Sequence, residues 1–255
     1  MLSRLPFRKI LAVGAVGLGG GLFGALMPAV GAPAAPAQVQ GDTGRFLYMQ
    51  DCAWCHGGTA EGTDRGPPLE GTGAASTHFM LITGRMPIPA QVDNPERRAP
   101  SYSPDEIAAI VDYVSSLVTG PGIPTVDPEA GDVSVGLTLY EQNCAACHGS
   151  TGTGGAMTQG LLAPSVLRST PVEVAEAMRL GGAGLYSGNM PRFGPERFDD
   201  HDVNSIAAYI NFLQVGGDRG GLGLGRIGPV AEGFVAWAVG LLALIVVIAW
   251  IGGRE

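Results

Sequence analysis

The sequence predicts an all-α protein with two tandem helical domains, an N-terminal apolar helix and a C-terminal transmembrane helix. Three observations support this fold class. One segment recurs at a fixed offset of 92 residues, and each copy ends in apolar residues at helical spacing. An uncharged run of 21 residues lies near the C-terminus, which is long enough to span a bilayer.

The internal repeat is clearest in a segment of nine residues. Residues 44–52 align without a gap on residues 136–144, with Gly, Leu, Tyr, Gln and Cys at matching places. The match continues through a second Cys, a His and a Gly at the same offset. Self-similarity at a fixed period indicates two copies of one supersecondary unit.

Each copy contains the pattern Cys-x-x-Cys-His, the attachment site of a c-type haem. On one helical turn both thiols reach one edge of the porphyrin, and the imidazole faces the iron. Zinc sites and disulfides also use paired cysteines, but neither needs a neighbouring His twice, and all four cysteines lie in these motifs. The sequence therefore predicts two covalently bound haem c groups, attached at Cys52, Cys55, Cys144 and Cys147, with His56 and His148 as axial ligands.

A proline follows each motif after a Gly-rich stretch, Pro67 in the first copy and Pro164 in the second. A proline keeps its carbonyl oxygen, which can accept a hydrogen bond from the second ring nitrogen of the His. Such a bond would fix which nitrogen faces the metal. Since the chain has 19 prolines, a plain loop role is the alternative at this point.

Both copies also contain the frame Gly-x-Met-Pro, which makes Met86 and Met190 the predicted sixth ligands of the haem irons. A thioether ligand raises the reduction potential into a range suited to electron transfer. Other side chains have suitable chemistry, namely Met80, Met157 and Met178 for sulfur, and His78 and His201 for bis-histidine ligation. None of these recurs in a matching frame, and a Met at helical spacing is more often core packing.

A helix with strong start signals closes each copy. Ser103 and Asp199 are cap residues, acidic residues follow them, and apolar residues then recur at helical spacing. This helix is expected to pack across the first helix of its copy. Each copy is therefore predicted to be a class I cytochrome c domain.

Changes in composition divide the chain into six segments. These are a signal or anchor segment with a tether (1–40), the first domain (41–120), a Pro/Gly-rich linker (121–130), the second domain (131–216), a Gly-rich hinge (217–232) and a transmembrane helix (233–253). The apolar run from Ile10 to Val30 fits an uncleaved anchor as well as a cleaved signal peptide.

Charge and hydropathy restrict the class of protein further. The formal net charge is −8, which argues against a nucleic-acid partner, and Lys9 is the only lysine, which argues against a lysine-rich docking face. Because c-type haems are attached outside the cytoplasmic membrane, the two domains are expected on the extracytoplasmic side of the cell membrane. The C-terminus is then cytoplasmic.

Taken together, these motifs resemble the dihaem cytochrome c (cytochrome cc) subunits of the actinobacterial menaquinol-cytochrome c reductase, also called the cytochrome bcc complex. The resemblance covers most of the chain. It rests on the two-domain layout, the C-terminal anchor and the segment 181–191, which reads GGAGLYSGNMP.

The resemblance implies a dihaem electron-transfer subunit. Electrons would pass from a cytochrome b subunit through a Rieske iron-sulfur subunit to the haem of the first domain, then to the second haem and to a cytochrome oxidase. The whole complex is an oxidoreductase and translocase, whereas the subunit alone is an electron carrier.

Two other classes remain open on the sequence. A membrane-anchored dihaem carrier could serve another oxidase or reductase outside a quinol-oxidising complex. A dihaem peroxidase would need one iron that releases a ligand to peroxide, and the Met frame in both copies speaks against it.

Overall fold

Two crossing helices form the frame of each domain in the computed structural model, which describes residues 37–90, 92, 95–158, 161–185, 189–216 and 229–253. The first domain contains α1 (Ala37–Asp51), α2 (Ala53–His56), α3 (Gly73–Ile82) and α4 (Pro104–Leu117). The second contains α5 (Val133–Asn143), α6 (Ala145–His148), β1 (Gly155–Ala156), β2 (Leu162–Ala163), α7 (Pro171–Leu185) and α8 (Asp200–Gln214). The predicted all-α class with two tandem domains is confirmed.

The first and last helices of each domain pack directly on one another, as the sequence predicted. They approach most closely at the glycines of the repeat. A methyl group on Gly44 of α1 would overlap the carbonyl oxygen of Ala109 in α4. A methyl group on Gly136 of α5 would overlap the carbonyl oxygen of Ser205 in α8. The repeated glycine is therefore explained by backbone contact between two helices.

A buried tyrosine ties the first helix of each domain to the haem motif. The hydroxyl of Tyr48 donates to the carbonyl oxygen of Gly57 at 2.8 Å, and that of Tyr140 donates to Gly149 at 2.9 Å. Burial raises the pKa of Tyr48 to about 12 and raises the pKa of Tyr140 as well, so both hydroxyls stay protonated donors. Each ring also packs on a tyrosine of the closing helix, with ring centroids 5.4 Å apart.

The closing helices begin at the predicted cap residues. Ser103 and Glu106 form a capping box at the start of α4, and Asp199 and Asp202 form one at the start of α8. Such boxes satisfy backbone N–H groups that have no partner within the helix.

The linker between the domains is bonded to both of them. The carbonyl oxygen of Pro121 accepts a hydrogen bond from the N–H of Ala75 in α3 at 3.0 Å. The N–H of Asp127 donates to the side chain of Asn204 in α8 at 2.8 Å, just before a 3-10 turn over Pro128–Ala130. The proline content of the linker predicts an extended segment, and these two hydrogen bonds hold the linker in place.

Several elements differ from the sequence-based expectations. Helix α1 begins at Ala37, within the expected tether, because alanine and glutamine directly after Pro36 are compatible with a helical first turn. The helices α3 and α7 and the two-residue strands β1 and β2, which pair antiparallel, were not predicted. The strands are only two residues long, and α3 mixes small, polar and apolar residues. In α7 the acidic residues Glu173 and Glu176 lie on the buried side, where a sequence pattern predicts apolar residues.

The last helix, α9 (Pro229–Gly252), covers all but the last residue of the predicted transmembrane segment and begins within the predicted hinge, at Pro229. It is long and apolar enough to cross a membrane, and its apolar stretch is not buried against the other residues that the structure describes. The predicted N-terminal apolar helix and residues 217–228 of the predicted hinge lie outside the described residues.

Candidate haem sites

The Cys-x-x-Cys-His residues of each domain are displayed on a single helical turn. In the first domain the N–H of Cys55 and of His56 both donate to the carbonyl oxygen of Cys52, at 3.1 and 2.9 Å. The second domain repeats both bonds at 3.1 and 2.9 Å around the carbonyl oxygen of Cys144. The four cysteines are partly exposed, so their sulfur atoms are accessible for covalent attachment.

The first cysteine of each motif is half-buried. Burial, together with the charge of the adjacent Asp51, raises the pKa of Cys52 to about 12. Burial also raises the pKa of Cys144 to about 11. Each of these thiols packs against the apolar cluster of its own domain. The edge of an attached porphyrin would therefore point into that cluster.

The histidine of each motif is oriented by the predicted proline. His56 Nδ1 lies 2.8 Å from the carbonyl oxygen of Pro67, and His148 Nδ1 lies 2.8 Å from that of Pro164. A carbonyl oxygen only accepts hydrogen bonds, so Nδ1 carries the proton in both rings. The lone pair of Nε2 is then free to bind a metal, which is the arrangement that axial ligation requires.

Met86 lies on a loop that the side chain of Arg98 holds in place. The Arg98 Nε donates to the carbonyl oxygen of Gly84 at 3.0 Å, and its Nη2 donates to that of Pro87 at 2.7 Å. These two carbonyl groups flank Met86 in the chain. The Met86 side chain is half-buried and packs against the same apolar cluster as Cys52.

Met190 occupies the corresponding place in the second domain. It follows a kink in α7 at Gly181, where φ is 64°, and its carbonyl oxygen accepts a hydrogen bond from the N–H of Gly182 at 2.8 Å. Its side chain packs against the same cluster as Cys144. One attachment cysteine and the predicted methionine thus contact a single apolar cluster in each domain.

The competing ligands have other environments. Met178 is fully buried in the core of the second domain. His201 is exposed in the first turn of α8, and His78 is paired with Glu176 of the other domain. The sequence had raised His78 only as a possible ligand. Neither His78 nor Glu176 has a counterpart in the other copy at the offset of 92 residues. This departure from the repeat was the sequence signal that could have indicated a contact between the two copies.

These features fit a covalently bound haem. Thiols and a histidine share one turn, the histidine keeps Nε2 available, and an apolar cluster with a thioether lies beside them. When bound, a haem c supplies an iron that changes its oxidation state by one electron.

Tandem helical domains with these two sites define a c-type cytochrome. The family described as cytochrome C oxidase, cbb3-type, subunit III, matches residues 39–114 and 131–210. The chain is 35% identical to the cytochrome bc1 complex cytochrome c subunit of Corynebacterium diphtheriae, over 97% of this chain and 96% of that protein. It is 33% identical to the subunit of the same name from Mycobacterium tuberculosis, over 96% of this chain and 90% of that protein. The chain therefore belongs to the family of cytochrome bc1 complex cytochrome c subunits.

A more distant relative is the cbb3-type cytochrome c oxidase subunit CcoP of an Azospirillum species. It is 28% identical over 67% of this chain and 61% of that protein. As a member of the cytochrome c subunit family, the chain binds haem c covalently and serves in electron transfer. Helix α9 anchors it in a membrane.

Proposed function

We propose that the chain carries one haem c in each domain and passes electrons through the two haems in series within a menaquinol-cytochrome c reductase. The observation that carries this proposal is the repeated site. In both domains the histidine next to the cysteine pair has its Nδ1 2.8 Å from a proline carbonyl oxygen. Near full-length similarity to subunits named for a cytochrome bc1 complex supports the assignment to such a complex.

Each residue of the site has a defined task in this proposal. The cysteine pairs hold the porphyrin by covalent bonds, and His56 and His148 bind iron through Nε2. Met86 and Met190 would each offer a thioether sulfur to the iron, which raises its potential. The carbonyl oxygens of the two prolines keep the proton on Nδ1 and fix the ring orientation.

Electrons enter at the first domain from a Rieske iron-sulfur subunit, which takes them from a cytochrome b subunit. They leave from the second domain to a cytochrome oxidase. The second haem domain, fused to the same chain and its membrane anchor, takes the place of a separate soluble carrier. The absence of lysine after Lys9 agrees with this, because the chain lacks the lysine ring by which small mobile carriers dock.

Both haem domains lie on the extracytoplasmic side of the cell membrane, and the C-terminus lies in the cytoplasm. Covalent haem attachment outside the membrane supports this orientation. The basic residues Arg4, Arg8 and Lys9 before the first apolar run also support it, since such residues remain on the cytoplasmic side.

A second candidate is a dihaem subunit or carrier that serves an oxidase directly. The description of the matching family and the CcoP relative, both named for cbb3-type oxidases, favour this candidate.

Purification of the tagged full-length chain from its native membrane in mild detergent separates the two candidates. Mass spectrometry would measure the haems bound per mature chain and identify the subunits that copurify. We expect two haems per chain, together with cytochrome b and Rieske subunits. Two haems with only oxidase subunits would establish the second candidate, and a single haem would contradict electron passage in series.

A further inference from the structure

The helices that lead to the two methionine loops pack on one another across the domain boundary. Helix α3 of the first domain precedes Met86, and α7 of the second domain precedes Met190. The two helices are in direct contact. The boundary between the domains is therefore formed by the same elements that position the proposed sulfur ligands.

A hydrogen-bonded pair of side chains joins α3 to α7. His78 Nδ1 lies 2.6 Å from Oε1 of Glu176, whose side chain has an exposure of 0%. The second carboxylate oxygen, Oε2, has no hydrogen-bond partner among the described residues. Burial raises the pKa of Glu176, and the hydrogen bond with His78 opposes that shift. A carboxyl group removed from water in this way depends on its partner in the other domain.

An ion pair between Arg97 and Glu173 joins the loop after Met86 to α7. Arg97 donates from Nη1 and Nη2 to the two carboxylate oxygens of Glu173, at 2.9 and 2.8 Å. The carboxylate is almost fully buried and also accepts from the N–H of Thr170 at 2.9 Å. A bidentate pair of this kind fixes both the distance and the relative orientation of its two partners.

Two adjacent arginines connect the Arg97–Glu173 ion pair to the loop that contains Met86. Arg98 donates to the carbonyl oxygens of Gly84 and Pro87 on either side of Met86, whereas Arg97 pairs with Glu173 of the other domain. On the other side of the boundary, the carbonyl oxygen of Met178 in α7 accepts from the N–H of Phe193, which follows Met190. Hydrogen bonds thus tie each methionine loop to an element that takes part in the boundary.

We propose that His78, Glu176, Arg97 and Glu173 are positioning residues that clamp the two methionine-bearing loops in one fixed arrangement for electron transfer between the domains. This inference rests on the proposed function, since it requires one haem in each domain. All four residues lie outside the haem motifs. Their loss is expected to change how the domains are arranged and to leave each haem site intact.

The test uses the full-length holoprotein in detergent with four single variants. Glu176→Ala and Arg97→Ala each remove one partner of a buried pair. Glu176→Gln keeps a hydrogen-bond acceptor for His78, so it is the conservative variant. Asp200→Asn is the matched control, because it weakens the Arg179–Asp200 ion pair, which lies within the second domain and whose acidic side chain is 91% exposed.

Two measurements are made on each variant. Pulsed EPR on the oxidised protein gives the distribution of distances between the two ferric haems. Rapid photoreduction gives the rate at which an electron moves from one haem to the other. We expect Glu176→Ala and Arg97→Ala to broaden the distance distribution and slow the transfer at least about tenfold, as small misplacements of reacting centres commonly do. Glu176→Gln is expected to recover part of the rate, and Asp200→Asn to match the wild type.

The haem count, the absorption spectra and the two midpoint potentials are measured on the same samples. If the four residues only hold the domains together, the haem count, the spectra and the midpoint potentials stay at their wild-type values. Damage inside a domain would change them. An unchanged distance distribution and transfer rate in both alanine variants would overturn the clamp while leaving the proposed function in place. A wild-type protein with one haem, or with no transfer between its haems, would instead overturn the proposed function.

Discussion

The two domains share a frame but differ on the surface beside the haem motif. Both have the glycine at the helix crossing, the tyrosine bonded to the turn after the motif and the histidine bonded to a proline carbonyl. At three exposed positions related by the repeat offset, however, the first domain has Phe46, Met49 and Trp54, and the second has Thr138, Glu141 and Ala146.

The residues that support haem attachment are the same in both domains, whereas the exposed residues that a partner could contact differ. Trp54 is 68% exposed and Phe46 is 65% exposed, although both are large apolar side chains. The guanidinium of Arg65 lies over the Trp54 ring, 4.2 Å from its centroid. Large apolar side chains at these three positions of the first domain, where the second domain has smaller or charged ones, indicate that the two domains present different surfaces to their surroundings.

Substitutions at the helix crossing should destabilise the shared frame more than the other changes considered below. Gly44→Val and Gly136→Val each place a side chain into a backbone carbonyl of the closing helix, so each should destabilise its own domain by about 3 kcal/mol or more, the upper end of ordinary overpacking. Urea unfolding followed by circular dichroism measures the loss. Gly122→Val is the control, because a side chain there meets no atom within 4 Å. Equal stability of all three variants would show that the crossing glycines are not required.

The proposed methionine ligands should act independently in the two domains. Met190→Ala should lower one midpoint potential by an amount on the order of 0.1 V, within the range of about 0.8 V that axial ligands span. This corresponds to about 2.3 kcal/mol per electron. Met86→Ala should lower the other potential, and Met178→Ala, a core variant, should change neither by a comparable amount. A redox titration of Met190→Ala with two unaltered haems would remove Met190 as a ligand.

The buried tyrosines should give the smallest effect, equal in the two domains. Tyr48→Phe and Tyr140→Phe each remove one of the two hydrogen bonds that a glycine carbonyl accepts, the other coming from the N–H of Ala60 or of Gly152. Each loss should cost about 1 kcal/mol of unfolding free energy. Thermal unfolding of the holoprotein measures both losses against Tyr113→Phe, which keeps its ring packed on Tyr48. Clearly unequal losses would show that the two frames are not equivalent.

The sequence predicted those features that depend on local patterns or on the repeat. The haem motifs, the capping boxes at Ser103 and Asp199 and the apolar run of α9 all belong to this group. Each is determined by residues a few positions apart, so its physical cause can be read directly from the chain.

The features that the sequence did not predict depend on contacts between distant residues. His78 and Glu176 are 98 positions apart, and Arg97 and Glu173 are 76 apart. The first pairing follows from the packing of α3 on α7, two helices that the sequence did not predict, and the second from the position of the loop after Met86 against α7. The roles of Met86 and Met190 stay predictions, because ligation also depends on where two loops are held and not only on the residues next to them.

Removal of one haem motif at a time tests the central claim of two haems in series most directly. In the assembled complex, Cys52→Ala with Cys55→Ala, and separately Cys144→Ala with Cys147→Ala, should each leave one haem per chain. With the first motif removed, quinol should no longer reduce the second haem. With the second motif removed, the first haem should still be reduced while electron flow to the oxidase stops. Rapid quinol reduction of the second haem without the first would contradict passage in series.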